Sequence, residues 1–120
     1  MPDTGPGAGI TWRRVFTPHP SEARAVRSWI TGRVTHPDAP LVGHELFVIV
    51  LQGQPAGVEM TLSTAGDRVR ITALGDIPLR LHHTHGPGAT LASALACRYG
   101  VTADARGVWA HLATEEESHR

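Results

Sequence analysis

The chain has 120 residues, enough to bury one hydrophobic core but not two independent ones. Its 11 basic residues, all arginine, balance 11 acidic ones, so the net charge of +0 gives no support to nucleic acid or an acidic membrane as a dominant partner. Cys97 is the single cysteine, which rules out an internal disulfide, and no apolar run approaches the roughly 20 residues that span a bilayer; a soluble, cytoplasmic protein is the expectation.

Residues 1–9 are rich in Gly and Pro and hold little to bury, so they read as a disordered arm without the charged and apolar regions of a secretory signal. Residues 10–16 carry β-branched and aromatic side chains and stop at Pro18 and Pro20, as an edge strand entering a turn does. Ser21 then caps an amphipathic helix over 21–35, in which Ala23, Val26, Ile30 and Val34 recur at helical spacing and Trp29 widens the buried face.

Residues 45–53, Glu45-Leu46-Phe47-Val48-Ile49-Val50-Leu51-Gln52-Gly53, follow an acid with six apolar residues. Periodicity alone fits a buried strand as well as a helix. The flanks favour the helix: Asp38 is placed as N-cap, Pro40 falls in the first turn and Gly53 as the stop. Such a helix, apolar nearly all round, is buried on most sides.

Val58, Met60 and Leu62 alternate with polar neighbours, a turn follows at Ala65-Gly66-Asp67, and Val69, Ile71 and Ala73 resume the alternation, so a β-hairpin is expected. Residues 75–88 read as a long loop. A short helix over 90–98 turns Leu91, Ala94 and Leu95 inward and stops at Gly100, and Cys97 is expected to be a buried structural thiol. A last hairpin starts at Val101, turns at Asp104 to Gly107 and continues through Val108, Ala110 and Leu112. Residues 114–120 form a charged tail, leaving 10–113 as a single domain. Element order implies an α+β two-layer sandwich, a mixed, mostly antiparallel sheet with helices on one face.

Several local motifs, in this order, resemble the histidine-kinase-like ATPases, in particular the small anti-sigma-factor kinases, over residues 12–112. Glu45-Leu46-Phe47-Val48-Ile49 falls on that family's Glu-Leu-x-x-Asn helix motif. Leu74-Gly75-Asp76-Ile77-Pro78 stands where the family has an acidic residue soon followed by a small residue and often Pro. Gly86-Pro87-Gly88-Ala89-Thr90-Leu91 matches its glycine-rich lid and following helix, and Arg106-Gly107-Val108-Trp109 its last strand.

The resemblance implies a helix glutamate at or beside the general base, here Glu45, and an Asn four residues on that holds Mg²⁺ through oxygen, a place taken here by Ile49. Positions 45, 49 and 52 share a helix face, so Gln52 is the nearest oxygen donor that could replace the contact. The chain has no Asn and no Lys. The family's adenine-binding aspartate aligns with Gly75, which puts Asp76 one residue late and, on a strand end, on the opposite face. Gly86 and Gly88 keep a reduced phosphate nest. Glu45 is thus a vestigial general-base position, and Ile49, Gln52, Asp76, Gly86 and Gly88 are degenerate nucleotide-site positions. The expected protein is a pseudo-kinase that works by binding another protein, without a cofactor: a sigma factor, an anti-anti-sigma factor or a second copy of itself. The alternative is a residual ATP- and Mg²⁺-binding serine kinase acting on an anti-anti-sigma partner through Asp76 and Gln52.

Two side readings complete the sequence. His82, His83 and His85 lie on the expected loop, where His83 and His85 of an extended segment could share a Zn²⁺ or Ni²⁺ ion; an exposed polar lid is the plainer reading, and no metal site is assigned. Trp29 and Trp109 read as core, whereas Trp12, beside Arg13 and Arg14, is either packing or a partner anchor.

Overall fold

Apolar residues on every second position decide which side of the sheet is covered. In β2 (Val58–Ala65) and β3 (Arg68–Leu74) the side chains of Val58, Met60, Leu62, Val69, Ile71 and Ala73 are buried, while those between them are partly or fully exposed. The computed structural model describes residues 9–113; residues 1–8 of the expected arm and the tail 114–120 lie outside the described residues, and Gly9, expected in the arm, instead opens the first strand opposite Ala65. Strand β1 (Gly9–Phe16) pairs with β2, and β5 (Gly107–Leu112) lies between β3 and the short edge strand β4 (Arg98–Val101), giving the order β1-β2-β3-β5-β4.

All four pairings are antiparallel, so the α+β class is as expected but the sheet is not mixed. The connections explain this. Both β2–β3 and β4–β5 are joined by turns that reverse the chain, and the helical excursion after β3 delivers the chain to the outer strand first, so that β5 returns against β3.

Helix α1 (Ala23–Thr31) buries Ala23, Val26, Trp29 and Ile30. It is shorter than the expected 21–35 at both ends. Ser21 does not cap it: its hydroxyl is 2.7 Å from His19 Nδ1, and Pro20–Glu22 forms a separate 3-10 turn. Gly32 closes the C-terminal end, leaving Val34 half-buried beyond it. Helix α2 (Ala39–Leu51) starts after Asp38, whose side chain makes no cap hydrogen bond, ends at the C-cap residue Gln52 just before the predicted stop Gly53, and buries Ala39, Val42, Gly43, Leu46, Phe47, Ile49 and Val50. It packs against α1 and across β3 and β5. Phe16 meets Trp29 and Phe47 edge-on, at ring-centre distances of 5.7 and 6.2 Å, tying β1 to both helices.

The segment expected as one loop holds a single helical turn, α3 (Leu81–Thr84), and α4 (Pro87–Leu95) begins three residues before the expected Thr90. Pro87 explains the shift: it lacks an N–H to satisfy and its fixed φ suits the first helical position. On this register Ala89 and Ala92 are buried and Leu95 half-buried, whereas Leu91 and Ala94 are exposed, contrary to expectation. The earlier end also frees the following residues. Cys97 is exposed rather than buried, and Gly100 is a β4 residue rather than a helix stop. The last hairpin therefore starts at Arg98, not Val101. Among the described residues, no helix is long and apolar enough to cross a membrane.

Candidate functional site

Helix α2 presents Glu45, Ile49 and Gln52 in very different surroundings. Glu45 is half-buried, Ile49 is 1% exposed and belongs to the core, and Gln52 is exposed at the C-terminal cap. The first turn of α4 lies directly on the first two. A Cβ added to Gly88 would stand 2.9 Å from Glu45 Oε2 and 3.5 Å from Ile49 Cγ1, so a larger residue there would have to displace the Glu45 carboxylate. The Glu45 carboxylate therefore sits beside the N-terminal turn of α4, where a negative charge is favoured. Gly86 is the N-cap residue of α4, and its own neighbours are the His82 and His83 carbonyls.

Asp76 and Gln52 are not part of this cluster. Asp76 Oδ1 accepts a hydrogen bond from the Ala56 N–H at 2.9 Å, fastening the segment after β3 to the one that leaves α2. Gly75 beside it donates its N–H to the Arg106 carbonyl at 3.0 Å and packs on Pro55 and Val50. Seven residues of helix, about 10 Å of rise, separate Gln52 from Glu45. Of the predicted positions, the fold joins Glu45, Ile49 and Gly88 and leaves Asp76 and Gln52 at the other end of α2. Asp76→Ala should lower stability by about 1 kcal/mol, the usual net worth of one hydrogen bond, as read from the midpoint of urea denaturation.

The histidines differ from the extended arrangement expected of them, because α3 is helical there. His83 Nδ1 accepts the Arg80 N–H at 3.3 Å, and His85 Nδ1 is 3.1 Å from both Thr84 Oγ1 and the Leu81 carbonyl oxygen. Among the described residues, no three His, Cys, Asp or Glu side chains converge to hold a metal ion. His44 Nδ1 is buried without a hydrogen-bond partner among the described residues. Trp12 pairs with Leu62 and packs on the core as a half-buried residue.

A second region was not anticipated from the sequence. The uncovered face of the sheet carries two rows of residues across its five strands: Thr11, Ser63, Arg70, His111 and Arg98, then Arg13, Thr61, Thr72, Trp109 and Gly100. The Trp109 indole crosses Gly100, where an added Cβ would stand 2.5 Å from the ring, and the Arg70 guanidinium lies 5.1 Å from its centroid. At the end of the first row is a groove of about 560 Å³ lined by Arg68, Arg70, Arg98 and His111 over Ser63 and Ala113. Arg68 and Arg70 were visible in the sequence as the outward positions of an alternating strand. Arg98 was not, because it was assigned to a helix.

Burial first, then the positive charges of Arg70, Arg98 and Arg68, hold the His111 pKa below its ordinary value. His83 is lowered in the same direction by desolvation, then by His82 and Arg80. In both cases the unfolded chain binds the proton more readily, so stability present above about pH 6.5 is lost as the pH falls towards the folded-state pKa. Urea midpoints should fall between pH 7.5 and 5.5, and His111→Gln should make that fall smaller.

No protein-family model matches the chain, and no curated protein matches it.

Proposed function

We propose that this chain is a regulatory protein-binding module similar to the small anti-sigma-factor kinases, with the place of the Mg²⁺-nucleotide site taken up by its own side chains. The observation that carries this reading is Ile49, which occupies the metal-ligand position of the motif and is 1% exposed in the core, with the glycine-rich turn of α4 resting on it and on Glu45. An aliphatic side chain offers no oxygen to a hard cation. The Asp76 carboxylate, offered by the resemblance for adenine, instead accepts the Ala56 N–H. On this reading Glu45 is a remnant that favours the start of α4, and the protein acts in the cytoplasm by binding a sigma factor, an anti-anti-sigma factor or a second copy of itself.

Calorimetric titration of the full chain with ATP and with ADP, each with and without Mg²⁺, tests the nucleotide half. Neither heat nor a thermal shift is expected at millimolar nucleotide. Hydrolysis of ATP or phosphorylation of an anti-anti-sigma protein that requires both Mg²⁺ and Glu45 would replace this reading with that of a residual serine kinase.

A further inference from the structure

We propose that the arginine-walled groove on the open face of the sheet docks an acidic, extended peptide segment of a partner protein. This rests on the reading of the chain as a protein-binding module and adds to it the surface and the chemistry of the partner.

The register sets the geometry. Arg70, His111 and Arg98 are directly opposite one another on β3, β5 and β4, so the two arginines flank the histidine from adjacent strands. Neighbouring strands are about 4.8 Å apart, which places the two arginine backbones about 10 Å from each other. An extended segment repeats its side chains on one face every 7 Å or so, within reach of two long, forked arginine side chains. Arg68, on the same face of β3 beyond Arg70, supplies a third guanidinium to the groove.

Charge selects the ligand. Among the described residues, every ionisable side chain lining the groove is basic apart from the thiol of Cys97, and Glu59, the one acidic residue facing outward on the described strands, lies two rows away opposite Leu74 and Val15. A guanidinium matches a carboxylate with two parallel N–H donors, and the small residues Gly9, Ser63, Ala65 and Ala113 that line the groove beside the arginines leave room for such a segment. Among the described residues, His111 Nε2 is buried without a hydrogen-bond partner.

Single-stranded nucleic acid is the competing polyanion, and the face suits it less well. Base stacking requires a vacant aromatic surface. Trp109 already packs across Gly100 and carries the Arg70 guanidinium.

The test is fluorescence anisotropy of the full chain with a labelled peptide of alternating glutamate and alanine, beside a lysine–alanine peptide and an oligothymidylate. Binding of the glutamate peptide alone is expected, weakened by salt and reduced at least tenfold by Arg70→Gln with Arg98→Gln. The double substitution Arg24→Gln with Arg27→Gln on α1, which changes net charge equally, should leave it unaltered. Circular dichroism melts establish that both variants are folded. Equal loss in the two double variants, no binding of the glutamate peptide, or tighter Arg70-dependent binding of the oligothymidylate would each overturn the proposal. So would glutamate-peptide binding that emerges only when residues 114–120 are deleted, since the groove would then belong to the chain's own Glu115-Glu116-Glu117. The two readings fail separately: Mg²⁺-ATP binding with intact peptide docking removes only the pseudo-kinase, whereas silence towards nucleotide and peptide alike removes only the groove.

Discussion

Ile49→Asn is expected to destabilise the protein by about 3–6 kcal/mol and to confer no Mg²⁺-ATP binding, although it supplies the amide oxygen that the proposed motif lacks. Two terms add. Removing an isoleucine that is 1% exposed forfeits its burial, about 2–3 kcal/mol, and the amide that replaces it is desolvated against Gly88, with the Glu45 carboxylate one helical turn earlier the polar group that shares this contact, costing about 1–3 kcal/mol more. Ile49→Val, which shortens the side chain but keeps it apolar, should cost about 1 kcal/mol. Urea denaturation of the three proteins separates these values, and calorimetry of the asparagine variant with Mg²⁺-ATP completes the comparison. A folded variant that binds Mg²⁺-ATP would mean that one substitution had closed the site, and that the contact between Gly88 and Glu45 opens readily. A cost below 1 kcal/mol would contradict the core placement of Ile49.

This position also shows why some of the fold is legible in the chain and some is not. The α2 core was readable because Asp38, Pro40 and Gly53 bound an apolar segment too long for a strand, and the first hairpin because its alternation is regular on both sides of Gly66. Those signals are local. The C-terminal third depends on one residue: Pro87 opens α4 early, and every later boundary moves with it, so Cys97, Arg98 and Gly100 all change surroundings. Whether Pro breaks a loop or begins a helix depends on what the following turn packs against, which here is Glu45, more than forty positions earlier. The motif residues were likewise identifiable one by one, but not that Asp76 would bond to Ala56 while Gly88 pressed on Glu45. The basic groove needed a strand register that periodicity does not contain. Arg70, His111 and Arg98 become neighbours only when β5 inserts between β3 and β4.

Gly107→Ala should cost about 3 kcal/mol, several times the effect of the same substitution at Gly66, because the two glycines serve different needs. Gly66 turns the first hairpin with φ +61°, and no atom of the described residues lies within 4 Å of an added Cβ. Alanine there bears only the left-handed backbone, roughly 1–2 kcal/mol, offset by about 0.4–1 kcal/mol from a less flexible unfolded chain. At Gly107 the added methyl would press on the carbonyl oxygen of Ala73 and stand 3.0 Å from Leu74 Cδ1 and 3.1 Å from Leu74 Cα. Two of these three atoms are backbone and cannot rotate away, so β5 must move off β3 where Leu74 pairs with Gly107. The loss is expected as a lower urea midpoint with an unchanged slope, and equal destabilisation by the two alanines would refute the steric account. Strand β5 sends Val108, Ala110 and Leu112 into the core and Trp109 and His111 to the open face. A displacement that starts at Gly107 therefore reaches the helix side and the groove side through the same six residues.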